Sequence, residues 1–114
     1  VLPTMTPPVT FQIVVHCHPD EYHLFEMDYE ENLHPRVGML IVDVPGIPKQ
    51  FGPDAGFDNK IFRLAWDGKR KRTLVQLMSL RWGTDLFSEV LSKLPEWKHI
   101  RQLREVNDPT KPIG

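Results

Sequence analysis

The sequence predicts an α+β domain: a β-α-β unit, a long loop, a β-hairpin and then two C-terminal helices, all packed on a mixed sheet. Three observations predict it. Apolar and polar side chains alternate over residues 9–18, residues 37–44 are almost wholly apolar, and apolar side chains recur at helical spacing after residue 84. The chain has 114 residues, 40% hydrophobic and 25% charged, which is the composition of one soluble domain able to bury a real core. Its expected limits are residues 9–107, between a proline-bearing flexible arm at 1–8 and a loose tail at 108–114.

In residues 9–18, Val9, Phe11, Ile13, Val15 and Cys17 share one face, and Thr10, Gln12, Val14, His16 and His18 share the other. This is the pattern of a half-buried strand that stops before Pro19. Residues 19–33 carry two patterns. Pro19, Asp20 and Glu21 suit a helix start, and Tyr22, Phe25, Tyr29 and Leu33 follow at helical spacing. Phe25, Met27 and Tyr29 also alternate, so residues 22–29 read alternatively as an extra strand in an antiparallel meander. The helix is favoured because its start signals are local. The run over residues 37–44 then reads as a strand covered on both faces, central in the sheet.

Residues 45–59, with three prolines and three glycines, read as a long loop pinned to the core by Phe51 and Phe57. Residues 60–66 and 73–78 read as a hairpin, with Trp66 on the buried side beside Phe62 and Leu64. A two-residue turn at Asp67-Gly68 would set Arg63 against Arg72, where like charges repel. That conflict leaves two alternatives, a longer loop with Lys69 and Arg70 at its tip or an anion between the arginines. Thr84 or Asp85 is expected to cap a helix that buries Leu86, Phe87, Val90, Leu91 and Leu94. A last helix over residues 96–106 would bury Trp97, Ile100 and Leu103.

Two motifs touch metal and thiol chemistry. His16 and His18 would project from one strand face about 6–7 Å apart, close enough to hold one divalent metal, with His23 or a neighbouring carboxylate as a further ligand. His16-x-His18-x-Asp20 resembles the metal motif of metallo-β-lactamase-like hydrolases, and departs from it at Glu21, where that motif continues with histidine. His16-x-His18 followed by Glu21 is also similar to a cupin motif, at shorter spacing. The bland reading is two surface histidines at a strand end. His16-Cys17 resembles the start of the tyrosine-phosphatase loop, but His23 stands where that loop needs arginine, and the intervening residues are acidic. Cys17 itself falls on the buried face, where thiols are inert. The predicted element order is similar in outline to a thioredoxin-like α/β fold, kept as an alternative fold, without that family's Cys-x-x-Cys.

Charge carries the main functional expectation. Residues 1–58 hold nine acids and two bases, and residues 59–114 hold six acids and twelve bases. Lys69, Arg70, Lys71 and Arg72 form a cationic run, joined by Arg63, Arg101 and Arg104 as candidate binding residues. No serine-histidine-acid set, phosphate loop or dinucleotide fingerprint is present, so the sequence leans away from an enzyme. The expectation is a non-catalytic protein-interaction module with opposed acidic and basic faces, meeting an acidic protein partner or a second copy of itself and needing no cofactor. A small metal-dependent enzyme built on His16, His18 and His23 is the first alternative. Nucleic-acid or anion binding through residues 69–72 is the second. No membrane association is expected, since no apolar run nears the ~20 residues of a spanning helix. The absence of a leader pattern and the lone cysteine point to the cytoplasm or nucleus.

Overall fold

The computed structural model describes residues 9–30, 33–42, 44, 46–47 and 59–104. Among these residues, seven strands and one short helix follow in the order β1 (Val9–His18), β2 (Glu21–Tyr29), β3 (Leu40–Ile41), β4 (Asn59–Asp67), β5 (Arg72–Leu77), β6 (Leu80–Leu86), α1 (Phe87–Lys93) and β7 (Lys98–Leu103). Along the sheet the order is β3-β4-β5-β1-β2-β7, with β6 also paired to β1. β1 is central. It runs antiparallel to β2 and parallel to β5 in its first half and β6 in its second, across the break at Met78 and Ser79.

The alternation in β1 decides the packing. Phe11, Ile13, Val15 and Cys17 point into the main core with Phe25, Ile61, Val75, Leu77 and Leu80, and that core also holds Val90 and Leu94 of α1, Trp97, Val44 and Ile47. Each large apolar side chain buried here contributes about 1.5–3 kcal/mol. Gly46 makes the close approach of its segment feasible. Its φ is +74°, and a Cβ there would lie 2.8 Å from Glu96 Oε2 and 2.9 Å from Trp97 Nε1. The opposite face of β1 is also covered: Thr10, Gln12 and Val14 are buried, the last with Leu24 and Leu103.

The predicted arrangement of two C-terminal helices on a β-α-β sheet is overturned, and so is the thioredoxin-like outline. Among the described residues there is one seven-residue helix. Residues 21–29 form a strand, not a helix: the chain reverses after a cis His18–Pro19 peptide, and Cys17 pairs with Glu21. Pro19, Asp20 and Glu21 serve a hairpin turn instead of a helix start. The apolar run at 37–44 is not a central strand. It contributes the two residues of β3 at the sheet edge, with Val37 at 64%, Leu40 at 50% and Val42 at 67% exposure, while Val44 turns inward.

The β4–β5 hairpin takes the longer loop. Asp67 faces Arg72 and Arg63 faces Gln76, so the two arginines never oppose each other. Asp67 Oδ1 accepts from the backbone N–H of Lys69 and Arg70, which shapes the loop. Trp66 is not core; it is 60% exposed, and Phe62 is exposed too. Leu86, rather than Thr84 or Asp85, flanks the start of α1, and its N–H donates to Glu89. Val90 and Leu94 are buried from that helix, whereas Leu86 and Leu91 are exposed.

The last predicted helix is β7. Its pairing with β2 shifts register between Leu24 and Phe25, so that Leu24 faces Arg101, Phe25 faces His99, and Ile100 is the extra residue of a bulge. Trp97, Ile100 and Leu103, expected on one buried helix face, are divided: Trp97 lies in the main core, Leu103 in the cluster with Val14 and Leu24, and Ile100 is exposed. Most of residues 45–59, with Phe51 and Phe57, lies outside the described residues, as do the arm at 1–8 and the tail at 108–114.

Candidate functional site

Register assembles a polar row across five strands: Arg63 of β4, Gln76 of β5, Gln12 of β1, Glu26 of β2 and Lys98 of β7. Its middle is hydrogen-bonded and buried. Gln76 Nε2 donates to Gln12 Oε1 at 2.9 Å, and Gln12 Nε2 donates to Glu26 Oε2 at 2.5 Å. Arg70 reaches back from the hairpin loop and grips Glu26 with both terminal nitrogens, at 2.8 and 3.2 Å, while its Nε donates to Asp67 Oδ2 at 2.6 Å. Burial works to raise the Glu26 carboxyl, but hydrogen bonds from Arg70 and Gln12 outweigh it and hold the group below its ordinary value. The same contacts hold Arg70 firmly protonated.

Arg72 is spent in the same way. Its Nε donates to Thr10 Oγ1 and one Nη to the Val9 carbonyl, both at 2.8 Å, and that Nη also lies 3.3 Å from Glu30 and 3.7 Å from Asp28. The acidic strand and the two arginines of the cationic run are therefore neighbours that neutralise each other, not opposed faces. The remaining candidate cations are placed differently. Lys69 and Lys71 are exposed in the loop, with Lys71 in the left-handed region at φ 55°. Arg63 and Arg101 share the polar face with Lys98 by register, and Arg104 follows β7 at the end nearer the β1–β2 turn. None of these has an ion-pair partner among the described residues.

The histidines do not gather as the motif predicts. His16 Nε2 bonds Asp20 at 2.7 Å and its ring stacks on Tyr22. His18 is exposed at the strand end, and His23 is buried on the opposite face of the sheet from His16. Among the described residues no group of three or more His, Cys, Asp or Glu side chains is arranged to hold a metal ion.

His23 instead joins a residue that sequence reasoning passed over. Its Nδ1 lies 3.0 Å from His99 Nε2, its Nε2 lies 3.0 Å from Glu21 Oε1, and its ring stacks on Phe87 of α1. His99 also makes a backbone hydrogen bond at Arg101 that favours its charged form. Burial, then the neighbouring His23, push His99 below the usual imidazole range. His99 lies 76 positions from His23. Only recognising 98–103 as a strand would have turned its side chain inward.

Cys17 is a free, fully buried thiol. Burial pushes its pKa up and the Glu21 charge pushes it further, so it has none of the thiolate character a nucleophile needs. A small cavity of about 160 Å³ lies beside the polar row, lined by Glu26, Met27, Asp28, Arg70, Glu96 and Lys98. No described helix is long and apolar enough to cross a membrane. No known protein family, curated protein or solved structure matches this chain.

Proposed function

We propose that this protein is a binding module for an acidic protein partner, engaged through Arg63, Lys69, Lys71, Arg101 and Arg104. One observation carries the reading. Every described carboxylate except Glu96 already has an internal hydrogen-bond or ion-pair partner, among them Asp20, Glu21, Glu26, Asp28 and Glu30 of the acidic half. Most described cations have no ion-pair partner, those five included. Arg70, Arg72 and Lys93 are the described Lys and Arg side chains in ion pairs, so most of the described cationic charge is left for an encounter.

Exposed cation–carboxylate contacts are worth about 0.2–1 kcal/mol each. Several together give a weak, salt-sensitive complex rather than a permanent one. The test is a binding titration with a labelled acidic peptide on the full chain. Reversing Lys69, Lys71 and Arg101 to glutamate is expected to weaken binding by about tenfold or more, and raising salt from about 50 to about 500 mM to weaken it further. Binding unmoved by both changes overturns the reading.

The exposed Trp66, next to the loop that carries Lys69 and Lys71, favours a second reading: stacking on a nucleic-acid base beside phosphate contacts. Binding of mixed-sequence RNA at low salt that is lost in Trp66→Ala would support it over an acidic protein. A reducing compartment, cytoplasm or nucleus, is the setting we propose, and the single buried thiol supports it.

A further inference from the structure

β7 ends the sheet. Among the described residues it pairs with β2 on one side and with no strand on the other. A strand in that position presents outward-facing N–H and C=O groups of its backbone. An extended polypeptide is the class of partner whose own backbone offers the matching alternation of donors and acceptors. A nucleic acid offers none.

The side chains on this edge then decide which polypeptide. Lys98 and Arg101 are exposed and share the polar face, and Arg104 stands exposed just beyond. None of the three has an ion-pair partner among the described residues. Laid parallel and in register against a second copy of itself, or antiparallel with Lys98 opposite Arg101, β7 would bring cation against cation, and like charges on adjacent strands repel. The bulge at Ile100 further discourages indiscriminate pairing. A neutral strand would gain the backbone bonds and nothing else. An acidic strand gains both, so the features that blunt the edge toward most strands select for this one. The other end of the sheet differs: β3 is two residues long, and residues 37–42 carry no charge.

We propose that β7 accepts an extended acidic segment of a partner protein as an added strand, with its carboxylates on the polar face against Lys98 and Arg101. This rests on the acidic-partner reading above and specifies where and how that partner is held. The segment matches β7 in length, six residues, and alternates acidic with β-favouring side chains.

The probe is a labelled peptide of alternating glutamate and valine, its lysine–valine counterpart, and the glutamate peptide with N-methyl groups on alternate backbone amides. Each is titrated onto the full chain by fluorescence anisotropy at low salt. The glutamate peptide is expected to bind and the lysine peptide not to. N-methylation is expected to weaken binding by about tenfold or more, since it removes strand hydrogen bonds and leaves charge intact. Lys98→Glu with Arg101→Glu should cost about tenfold or more, and Lys69→Glu with Lys71→Glu less than about threefold. If the glutamate peptide fails to bind, both this proposal and the acidic-partner reading fall. If it binds and the N-methylated form binds equally, or if the loop variant loses binding and the β7 variant keeps it, strand addition is overturned and the acidic-partner reading stands. The N-methyl comparison needs no variant, so it decides even if a charge reversal perturbs folding.

Discussion

At the scale of single residues, the buried polar groups set how this protein responds to pH. His99 sits between His23 and a backbone acceptor, with Glu21 beyond His23 and Phe87 and Phe25 against the rings. Its pKa in the folded chain is lowered, by burial first and by His23 second. The unfolded chain, with an imidazole pKa of about 6.5, therefore binds more protons than the folded one just below that value. The stability contributed here is present above about pH 6.5 and is lost as pH falls from there toward the lower folded value. Urea denaturation at about pH 7.5 and about pH 5.5 checks this. The wild-type midpoint should drop between the two, and His99→Gln should drop less. Parallel profiles would remove His99 from the account. Glu26 has the same proton count at lower pH: hydrogen bonds from Arg70 and Gln12 outweigh burial and hold its carboxyl below its ordinary value, so its contribution is present above the unfolded carboxylate value and fades as pH falls toward the lower folded one.

At the scale of elements, what could be read from the sequence was what local pattern alone determines. β1 is a strand over the residues read as one, although both of its faces are covered where the alternation suggests one, and β4 and β5 flank the cationic loop. The failures lie where a distant partner decides. Residues 22–29 carry both helical and strand spacing, and pairing with β1 on one side and β7 on the other selects the strand. In β7 the spacing of Trp97, Ile100 and Leu103 suits a helix, but pairing with β2 makes the segment a strand and sends the three to different surroundings. The apolar run at 37–44 misleads because composition does not say whether a strand is central or marginal. Its edge position makes a sharp prediction. Val42→Lys should change stability by less than about 0.5 kcal/mol, as expected of an exposed site, whereas in a central strand it would be severe. Chemical denaturation of the variant distinguishes the two. The candidate site was legible in its cations and not in their pairing. Nothing local announces that Arg70 and Arg72 fold back onto Glu26, Thr10 and Glu30.

At the scale of the whole molecule, a nearly neutral chain, with formal net charge −1, presents an unbalanced set of available charges. Asp20, Glu26 and Asp67 are drawn into the turn, the polar row and the hairpin loop, and unpaired cations remain on the polar face, the loop tip and the β7 edge. The formal sum hides this, because paired and unpaired charges count alike in it. Encounter with a partner depends on the unpaired ones, and their influence reaches about 8–10 Å at physiological salt. The most direct measurement is calorimetric titration of the full chain, at about 50 mM salt, with a glutamate-rich peptide and with its glutamine counterpart of equal length. Binding of the glutamate peptide alone is the predicted result. Equal binding of both, or of neither, would contradict it.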